Sequence, residues 1–277
     1  MLETFMAQIN PIMPYAMLPL SLVVLALTIC HAKVMFNSWK SALLMALSGW
    51  LIAFAVEDFA IHLTGFYYFT ELMGPKLDVI PFSLPSLWVA YIYASFIVTN
   101  LVLDGSPLPK NYGWPRMLAG TVIGVLILTA LDLIADPIAV DNGYWVWVHS
   151  GKYFGVPLMN FLCGWFPIGG MTILLHYVQL RRENIPVLEE RTRGVQICSL
   201  LPVLFYGFFL VFFLIYNFEH ILGLAALFAV GIPFAVAVWK WGLWYNEEGY
   251  GTTYEVTDKF SEEFIEGINE ARENEQK

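Results

Sequence analysis

Apolar stretches long enough to form membrane-crossing helices follow one another along most of the chain. A bilayer hydrocarbon core about 30 Å thick needs roughly 20 apolar residues for each helical crossing. Windows that meet this condition predict seven spans, at residues 12–31, 41–62, 85–103, 116–137, 156–179, 196–217 and 219–240. Only a short stretch, Tyr216 to His220, separates the sixth span from the seventh, so the sequence leaves open whether these are two separate crossings. The pattern predicts an all-α, polytopic integral membrane bundle of about seven transmembrane helices.

The composition agrees with a membrane protein and sets a polar tail apart from it. Hydrophobic residues make up 58% of the 277 positions and charged residues 13%, against about 25% charged residues in an average soluble domain. A soluble protein is therefore excluded. Most of the formal net charge of −9 arises near the end of the chain. This divides the chain into a transmembrane helical domain, 1–244, and an acidic tail, 245–277, with no basic cluster suited to nucleic acid.

The positions of lysine and arginine predict the orientation of the spans. Alternating loops place 12 of the 14 cations on one side, namely Lys33, Lys40, Lys110, Arg116, Arg181, Arg182, Arg191, Arg193, Lys240, Lys259, Arg272 and Lys277. The other side holds only Lys76 and Lys152. Because cytoplasmic loops are enriched in cations, we expect a multi-pass protein of the cell membrane with its N-terminus outside and its C-terminus in the cytoplasm. The tail is compatible with either a short amphipathic helix or a solvated segment.

Other membrane chemistries lack the residues that they need. A retinal-binding photoreceptor requires a lysine within the last span, whereas Lys240 lies at its cytoplasmic end. Five histidines without a pair at ligand spacing argue against a metal-dependent oxygenase, so no metal is expected. Cys30, Cys163 and Cys198 lie far apart inside apolar stretches, which predicts small core residues rather than disulfides or a zinc site.

Polar residues within the spans gather toward one face of the bilayer. Glu57 lies shortly before the outer end of the second span, and Asp132 and Asp136 lie four residues apart at the outer end of the fourth. Asn160 lies in the first turn of the fifth span. An acid at the bilayer centre costs about 2.5–3.5 kcal/mol, and such residues usually face the bundle interior and serve a function. Separate spans thus bring polar groups to one depth.

Some of these residues also allow a simpler interpretation. Asp136 precedes a proline and is compatible with a helix that ends at the interface. Asp58 and Glu219 can face headgroups or water, and Asn160 can link two helices by a hydrogen bond. Glu57 and Asp132 lie deeper within their apolar runs, and this position favours a functional role for both.

Carboxyl groups among aromatic residues suit acid catalysis on an apolar alkene. A carboxyl group in apolar surroundings can stay protonated at neutral pH and donate its proton, while a second carboxylate orients or deprotonates water. Aromatic faces stabilise the resulting carbocation. The same arrangement suits a proton-coupled transporter, and physical chemistry alone does not separate the two.

Two stretches carry a more specific pattern. The first reads LDLIADPIAVDNGYWVWVHSGKYFGVPLMNFLCGW, from Leu131 to Trp165. The second begins at Glu57 and continues through Thr64-Gly65, Gly74-Pro75, Pro81 and Trp88. Together they resemble the carotenoid biosynthesis membrane family that contains bacterioruberin-pathway hydratases and γ-carotene 1'-hydroxylases. The family usually has a Phe-Gly step after Thr-Gly, and this chain has the shorter Phe66-Tyr67-Tyr68 after Thr64-Gly65.

The resemblance implies an enzyme that adds water, without a cofactor, to the terminal carbon–carbon double bond of an acyclic carotenoid and yields a tertiary alcohol. The family's motif carboxylates fall on Glu57, Asp132 and Asp136, which are the catalytic candidates. The candidates for substrate binding are Asn160, Tyr67, Tyr68, Trp88, Trp145, Trp147, Tyr153 and Trp165. The expected partners are a lipid-soluble carotenoid and water, with other membrane enzymes of the pathway as candidates, and no metal or nucleic acid.

The roles within this set are hypotheses. Asp132 or Glu57 donates the proton, the other carboxylate positions water together with Asn160, and tyrosine or tryptophan rings face the cation. The alternative is a carotenoid or lipid carrier without catalysis, or a proton-coupled transporter that uses the same acids. A transporter would more readily show repeats or paired discontinuous helices, which the sequence does not reveal.

Overall fold

Helices make up most of the chain in the computed structural model, which describes residues 12–161, 165–183, 193–216 and 221–245. The helices are α1 Met13–Phe36, α2 Trp39–Thr64, α3 Ser83–Asp104, α4 Trp114–Asp141, α5 Trp165–Arg182, α6 Arg193–Cys198, α7 Leu201–Tyr216, α8 Ile221–Ala229 and α9 Gly231–Tyr245. The strands are β1 Tyr67–Phe69, β2 Lys76–Leu77, β3 Ile80–Pro81 and β4 Trp145–Trp147. Glu219, Cys163 and the tail after residue 245 lie outside the described residues.

Six helical stretches among the described residues are long and apolar enough to cross a membrane. They are Met13–Phe36, Trp39–Thr64, Ser83–Asp104, Trp114–Asp141, Gly194–Ile215 and Gly223–Tyr245. They correspond to six of the predicted spans, and the remaining one, 156–179, overlaps α5, which is less apolar and ends in Arg181 and Arg182. The predicted all-α polytopic membrane fold is confirmed, and its orientation stays a prediction.

Helix α3 lies at the centre of the bundle. It packs against α1, α2, α4, α7 and α9, and nearly every residue from Trp88 to Leu101 is buried. Exposed apolar side chains fall on the outer helices instead, for example Leu27 on α1 and Leu51 on α2. Cys30 is also exposed on α1, so the prediction that all three cysteines are core residues was wrong for this one. A thiol behaves as a small apolar group and is compatible with a lipid-facing surface.

A proline lies in the first turn of α7, just after the break between α6 and α7 inside the predicted sixth span. Pro202 has no N–H, so the carbonyl of Cys198, four residues earlier, lacks its helical donor. His31 supplies one, because its Nε2 lies 2.7 Å from the Cys198 oxygen. The other ring nitrogen, Nδ1, lies 2.8 Å from the hydroxyl of Tyr93 and accepts its hydrogen bond. The released backbone group is thus satisfied within the bundle, as apolar surroundings require.

A buried ion pair joins three helices at the predicted cytoplasmic end. Arg116 of α4 donates from Nη2 to Asp104 Oδ2 at 2.7 Å, and the two side chains are only 12% and 11% exposed. Arg116 also donates to Asn100 Oδ1 at 2.9 Å, and the Tyr177 hydroxyl of α5 donates to the same oxygen at 2.8 Å. This network holds the ends of α3, α4 and α5 together.

Two small antiparallel sheets connect helix ends at the predicted outer side. Helix α2 ends at Thr64 and is capped by Gly65, whose φ of 59° is the left-handed conformation that glycine adopts most readily. The chain then enters β1, which pairs with β4, whereas β2 pairs with β3. The all-α prediction did not include these strands, because each has only two or three residues and β1 and β4 are far apart in sequence.

Candidate active site

Asn160 joins the two aspartates of α4. Its Nδ2 donates to Asp132 Oδ2 at 3.2 Å and also to Asp136 Oδ2. The aspartates lie one helical turn apart on one face, and their side chains are 4% and 3% exposed. A side-chain amide carries two hydrogens, one for each carboxyl group. Asn160 therefore fixes the positions of both carboxyl groups.

Pro137 lies inside α4 rather than at its end. The helix continues to Asp141, so Asp136 is an interior residue and the interpretation of a helix end at this point is wrong. Pro137 leaves the carbonyl of Leu133 without its helical donor, and the hydroxyl of Tyr153 donates to that oxygen at 2.8 Å. Burial raises the pKa of Tyr153, which keeps the hydroxyl protonated as a donor. The helix accommodates a proline beside Asp136 because Tyr153 replaces the missing N–H.

Glu57 of α2 is held by two donors from other parts of the chain. The hydroxyl of Tyr67 donates to Glu57 Oε2 at 2.5 Å, and Trp88 Nε1 of α3 donates to Oε1 at 3.3 Å. Burial, together with the neighbouring Glu57, raises the pKa of Tyr67, so its hydroxyl stays protonated at neutral pH. The two oxygens of one carboxyl group are thus positioned by a strand and by the central helix.

The sheet formed by β1 and β4 places aromatic rings beside this carboxyl group. Tyr67 lies opposite Trp147, with ring centroids 4.8 Å apart, and Phe69 lies opposite Trp145, with centroids 6.0 Å apart. Since side chains alternate along a strand, Tyr67 and Phe69 share one face of β1 and Tyr68 lies on the other. Four aromatic rings therefore cover one end of the site.

A cavity of about 540 Å³ lies between these elements, a volume typical of small-molecule sites. The predicted site residues that line it are Glu57, Tyr67, Asp136, Trp145, Trp147 and Asn160. The rest of its lining is almost wholly apolar and consists of Val56, Phe59, Ala60, Leu63, Thr64, Phe66, Phe69, Leu84, Pro157, Met159, Pro167 and Ile168. Carboxyl groups that can give or take a proton thus share an apolar space with aromatic rings.

Four of the predicted residues whose side chains the structure describes do not line this cavity. Asp132 accepts a hydrogen bond from the amide of Asn160, which does line the cavity. Trp88 donates to the carboxyl group of Glu57. Tyr153 is engaged with the backbone of α4. Tyr68 is 52% exposed on the opposite face of β1. Trp165 begins α5, and its side chain lies outside the described part of the chain.

The sequence interpretation missed most of the apolar lining. Ala60 and Thr64 lie three and seven residues after Glu57, and helical spacing alone could have placed them on its face of α2. Phe69 could have been found from the alternation of β1 once Tyr67 was known to point inward. Nothing local indicates Leu84, which reaches the cavity from the start of α3 through tertiary packing.

Asp58 and His62, one turn apart on α2, face the predicted outer surface with Asp78 of the β2–β3 turn. His62 Nε2 lies 3.3 Å from Asp78 Oδ2, and its Nδ1 lies 3.5 Å from Asp58 Oδ1. The ligand atoms of the three side chains lie within 4.8 Å of one another. Because His62 and Asp78 are exposed and ion pairing accounts for the contacts, we interpret this group as a surface link between α2 and the turn.

Comparison with known proteins identifies the family. Residues 15–237 match the family described as "Carotenoid biosynthesis protein". The chain belongs to this family. A bisanhydrobacterioruberin hydratase from Haloarcula japonica is 27% identical over 134 residues, which cover 45% of this chain and 43% of that protein. The chain thus aligns with less than half of this relative's length, and no solved structure matches the chain. The predicted family is confirmed.

Proposed function

We propose that this carotenoid biosynthesis protein is a hydratase that adds water to the terminal double bond of an acyclic carotenoid and forms a tertiary alcohol. The observation that carries the proposal is the presence of Glu57 and Asp136 in one apolar cavity, with Asp132 joined to Asp136 through Asn160. The name of the Haloarcula japonica relative supports the same reaction type. No step of this chemistry needs a cofactor.

The reaction balances as two proton transfers and one addition. A carboxyl group gives its proton to the less substituted carbon of the terminal double bond, which leaves a tertiary carbocation on the other carbon. The oxygen of a water molecule bonds to that carbon and loses one proton to a carboxylate. The substrate gains the atoms of one water molecule. The pair of carboxyl groups keeps one proton in total, now on the group that accepted it, and transfer of that proton back to the donor through water restores the starting state.

The contacts suggest a division of roles within this reaction. Tyr67 and Trp88 hold the two oxygens of Glu57, while Asn160 holds the aspartates of α4. We propose that the proton comes either from Glu57 or from the Asp132–Asp136 pair, of which Asp136 lines the cavity, and that the other side, with Asn160, positions the attacking water. Trp145 and Trp147 line the same cavity, and their aromatic rings suit a carbocation by cation–π attraction.

The source of the added oxygen tests this function directly. Membranes that contain the protein and an acyclic carotenoid are incubated in ¹⁸O-labelled water, with and without O₂, and the pigment is analysed by mass spectrometry. The proposal predicts labelled tertiary alcohol in both conditions. Oxygen derived from O₂ would show a hydroxylase, and unchanged pigment across several acyclic carotenoids would favour the carrier or proton-coupled transporter.

The cellular setting follows from the predicted orientation. We propose that the protein lies in the cell membrane with the cavity toward the outer leaflet, and that it receives its substrate from other membrane enzymes of carotenoid synthesis. Labelling of a cysteine introduced at Ser150, an exposed position in the loop after β4, with a membrane-impermeant thiol reagent on intact cells tests this orientation. A Cys30→Ser background removes an exposed thiol. Absence of labelling at Ser150 despite labelling after lysis would reverse the orientation.

A further inference from the structure

The cavity that contains Glu57 and Asp136 opens sideways between α2 and the segment before α5. Four apolar side chains line the cavity and are also exposed on the outer surface of the bundle, and we call them the mouth. They are Phe59 (65% exposed), Leu63 (69%), Phe66 (55%) and Met159 (60%). Phe59 and Leu63 belong to the membrane-crossing helix α2, where exposed apolar side chains face hydrocarbon, and Phe66 and Met159 continue the apolar surface beside them. An apolar path therefore runs from the lipid to the carboxyl groups.

The cavity is short compared with the membrane. Along α2 its lining extends only from Val56 to Thr64, which is about 12 Å at 1.5 Å per residue. The hydrocarbon core is about 30 Å thick, and an extended acyclic carotenoid is long enough to cross it. On α3 the lining includes only Leu84, close to the start of that helix. The cavity can enclose the end of such a molecule but not its full length.

We infer that the cavity encloses only the end group of the polyene, while the remaining chain passes through the mouth and stays in the lipid. This inference rests on the proposed function, since it assigns the substrate to the same cavity. The protein then recognises acyclic isoprenoid chains by their terminal double bond and is indifferent to chain length and to the far end. A substrate with two such ends is processed in two separate binding events, so the singly hydrated molecule is released between them.

A length series tests this inference. The protein in lipid nanodiscs is given three acyclic polyenes with the same terminal group and about 30, 40 and 50 carbons, and hydration rates are compared. Rates within about threefold of one another are expected, because the far end of the chain stays in the lipid and touches no binding pocket. A pocket that enclosed the far end would instead discriminate by about tenfold or more for a single methylene. A preference for one length of about tenfold or more would overturn the inference.

A variant of the mouth provides a second test that does not depend on turnover. Leu63→Trp fills the opening, whereas Leu51→Trp makes the same change at an exposed position of α2 outside the cavity lining. We expect Leu63→Trp to reduce the polyene retained by the purified protein by about tenfold at every chain length, and Leu51→Trp to leave it unchanged. Equal retention in both variants would show that the chain does not pass through the mouth.

The two tests separate the inference from the proposed function. Absence of hydration with every polyene would contradict the hydratase, while retention that depends on Leu63 and not on chain length would still support end-group binding. Hydration of one length only would keep the hydratase and remove the inference. Doubly hydrated product without a detectable singly hydrated intermediate at early times would also contradict release between the two ends.

Discussion

The hydroxyl of Tyr153 donates to the carbonyl of Leu133, the oxygen that Pro137 leaves without a helical partner. The bond is 2.8 Å long and joins the loop before Asn160 to the turn of α4 that carries Asp132 and Asp136. One contact thus satisfies the backbone beside the aspartates and links the loop to α4.

Removal of the Tyr153 hydroxyl should therefore destabilise the protein. An unsatisfied buried carbonyl costs about 1–3 kcal/mol, so Tyr153→Phe is expected to lower the free energy of unfolding by that amount and to reduce hydration. In a Pro137→Ala background the backbone N–H of residue 137 can donate to Leu133, and the same Tyr153→Phe change should cost less. Unfolding of the four proteins in detergent measures this coupling, and equal costs in both backgrounds would refute the proposed relationship.

The donor contacts of Asn160 should matter more than its size. Asn160→Asp keeps the shape but replaces the amide donor with a third carboxyl group beside Asp132 and Asp136. We expect hydration to fall by at least about a hundredfold, a loss comparable to removal of one preorganised donor from an active site. Asn111→Asp, in an exposed loop, adds the same charge away from the site and should leave the rate unchanged. A similar loss in both variants would point to a general effect of charge.

Tyr67 and Tyr68 offer a matched pair on opposite faces of β1. Tyr67→Phe removes a donor from Glu57 and should reduce hydration by about tenfold or more, whereas Tyr68→Phe should leave it within twofold of wild type, or about 0.4 kcal/mol. Initial rates at equal protein levels in the membrane measure both. The register of β1 against β4 would be incorrect if Tyr68→Phe proved the more damaging change.

The stability that Tyr67 confers should depend on pH at the alkaline end. Burial raises the pKa of Tyr67, so its neutral form is favoured in the folded protein. This contribution is fully present below the ordinary tyrosine pKa of about 10 and is lost as the pH rises above it, because the unfolded chain then ionises more easily. The difference in thermal stability between wild type and Tyr67→Phe should therefore be constant from about pH 7 to 9 and shrink above about pH 10. A difference that grows over this range would contradict the assignment.

Sequence alone predicted much of the polar lining of the cavity because helical spacing and membrane depth are local properties. Glu57, Asp136 and Asn160 were selected as polar groups at one depth, and all three line the cavity. Asp132 shares a helix face with Asp136 by virtue of the four-residue spacing. These inferences needed no knowledge of tertiary contacts.

The remaining features depend on contacts between distant parts of the chain. Alternation separates the faces of Tyr67 and Tyr68, but only the pairing of β1 with β4 determines which face points inward. Tyr153 was expected at the substrate, yet the partner that Pro137 requires could have come from any nearby element. Arg116 was counted as a cytoplasmic loop cation, although its ion pair with Asp104 is largely buried.

The central claim is that the buried carboxyl groups catalyse the addition of water to a carotenoid, and the mass of the pigment tests this most directly. Wild type, Glu57→Gln and Asp132→Asn are expressed at equal levels in membranes of cells that make an acyclic carotenoid, and the extracted pigments are analysed by mass spectrometry. The account predicts a gain of one water per processed end with the wild type and no gain with either variant, while all three proteins insert equally. Normal hydration by both variants would contradict it.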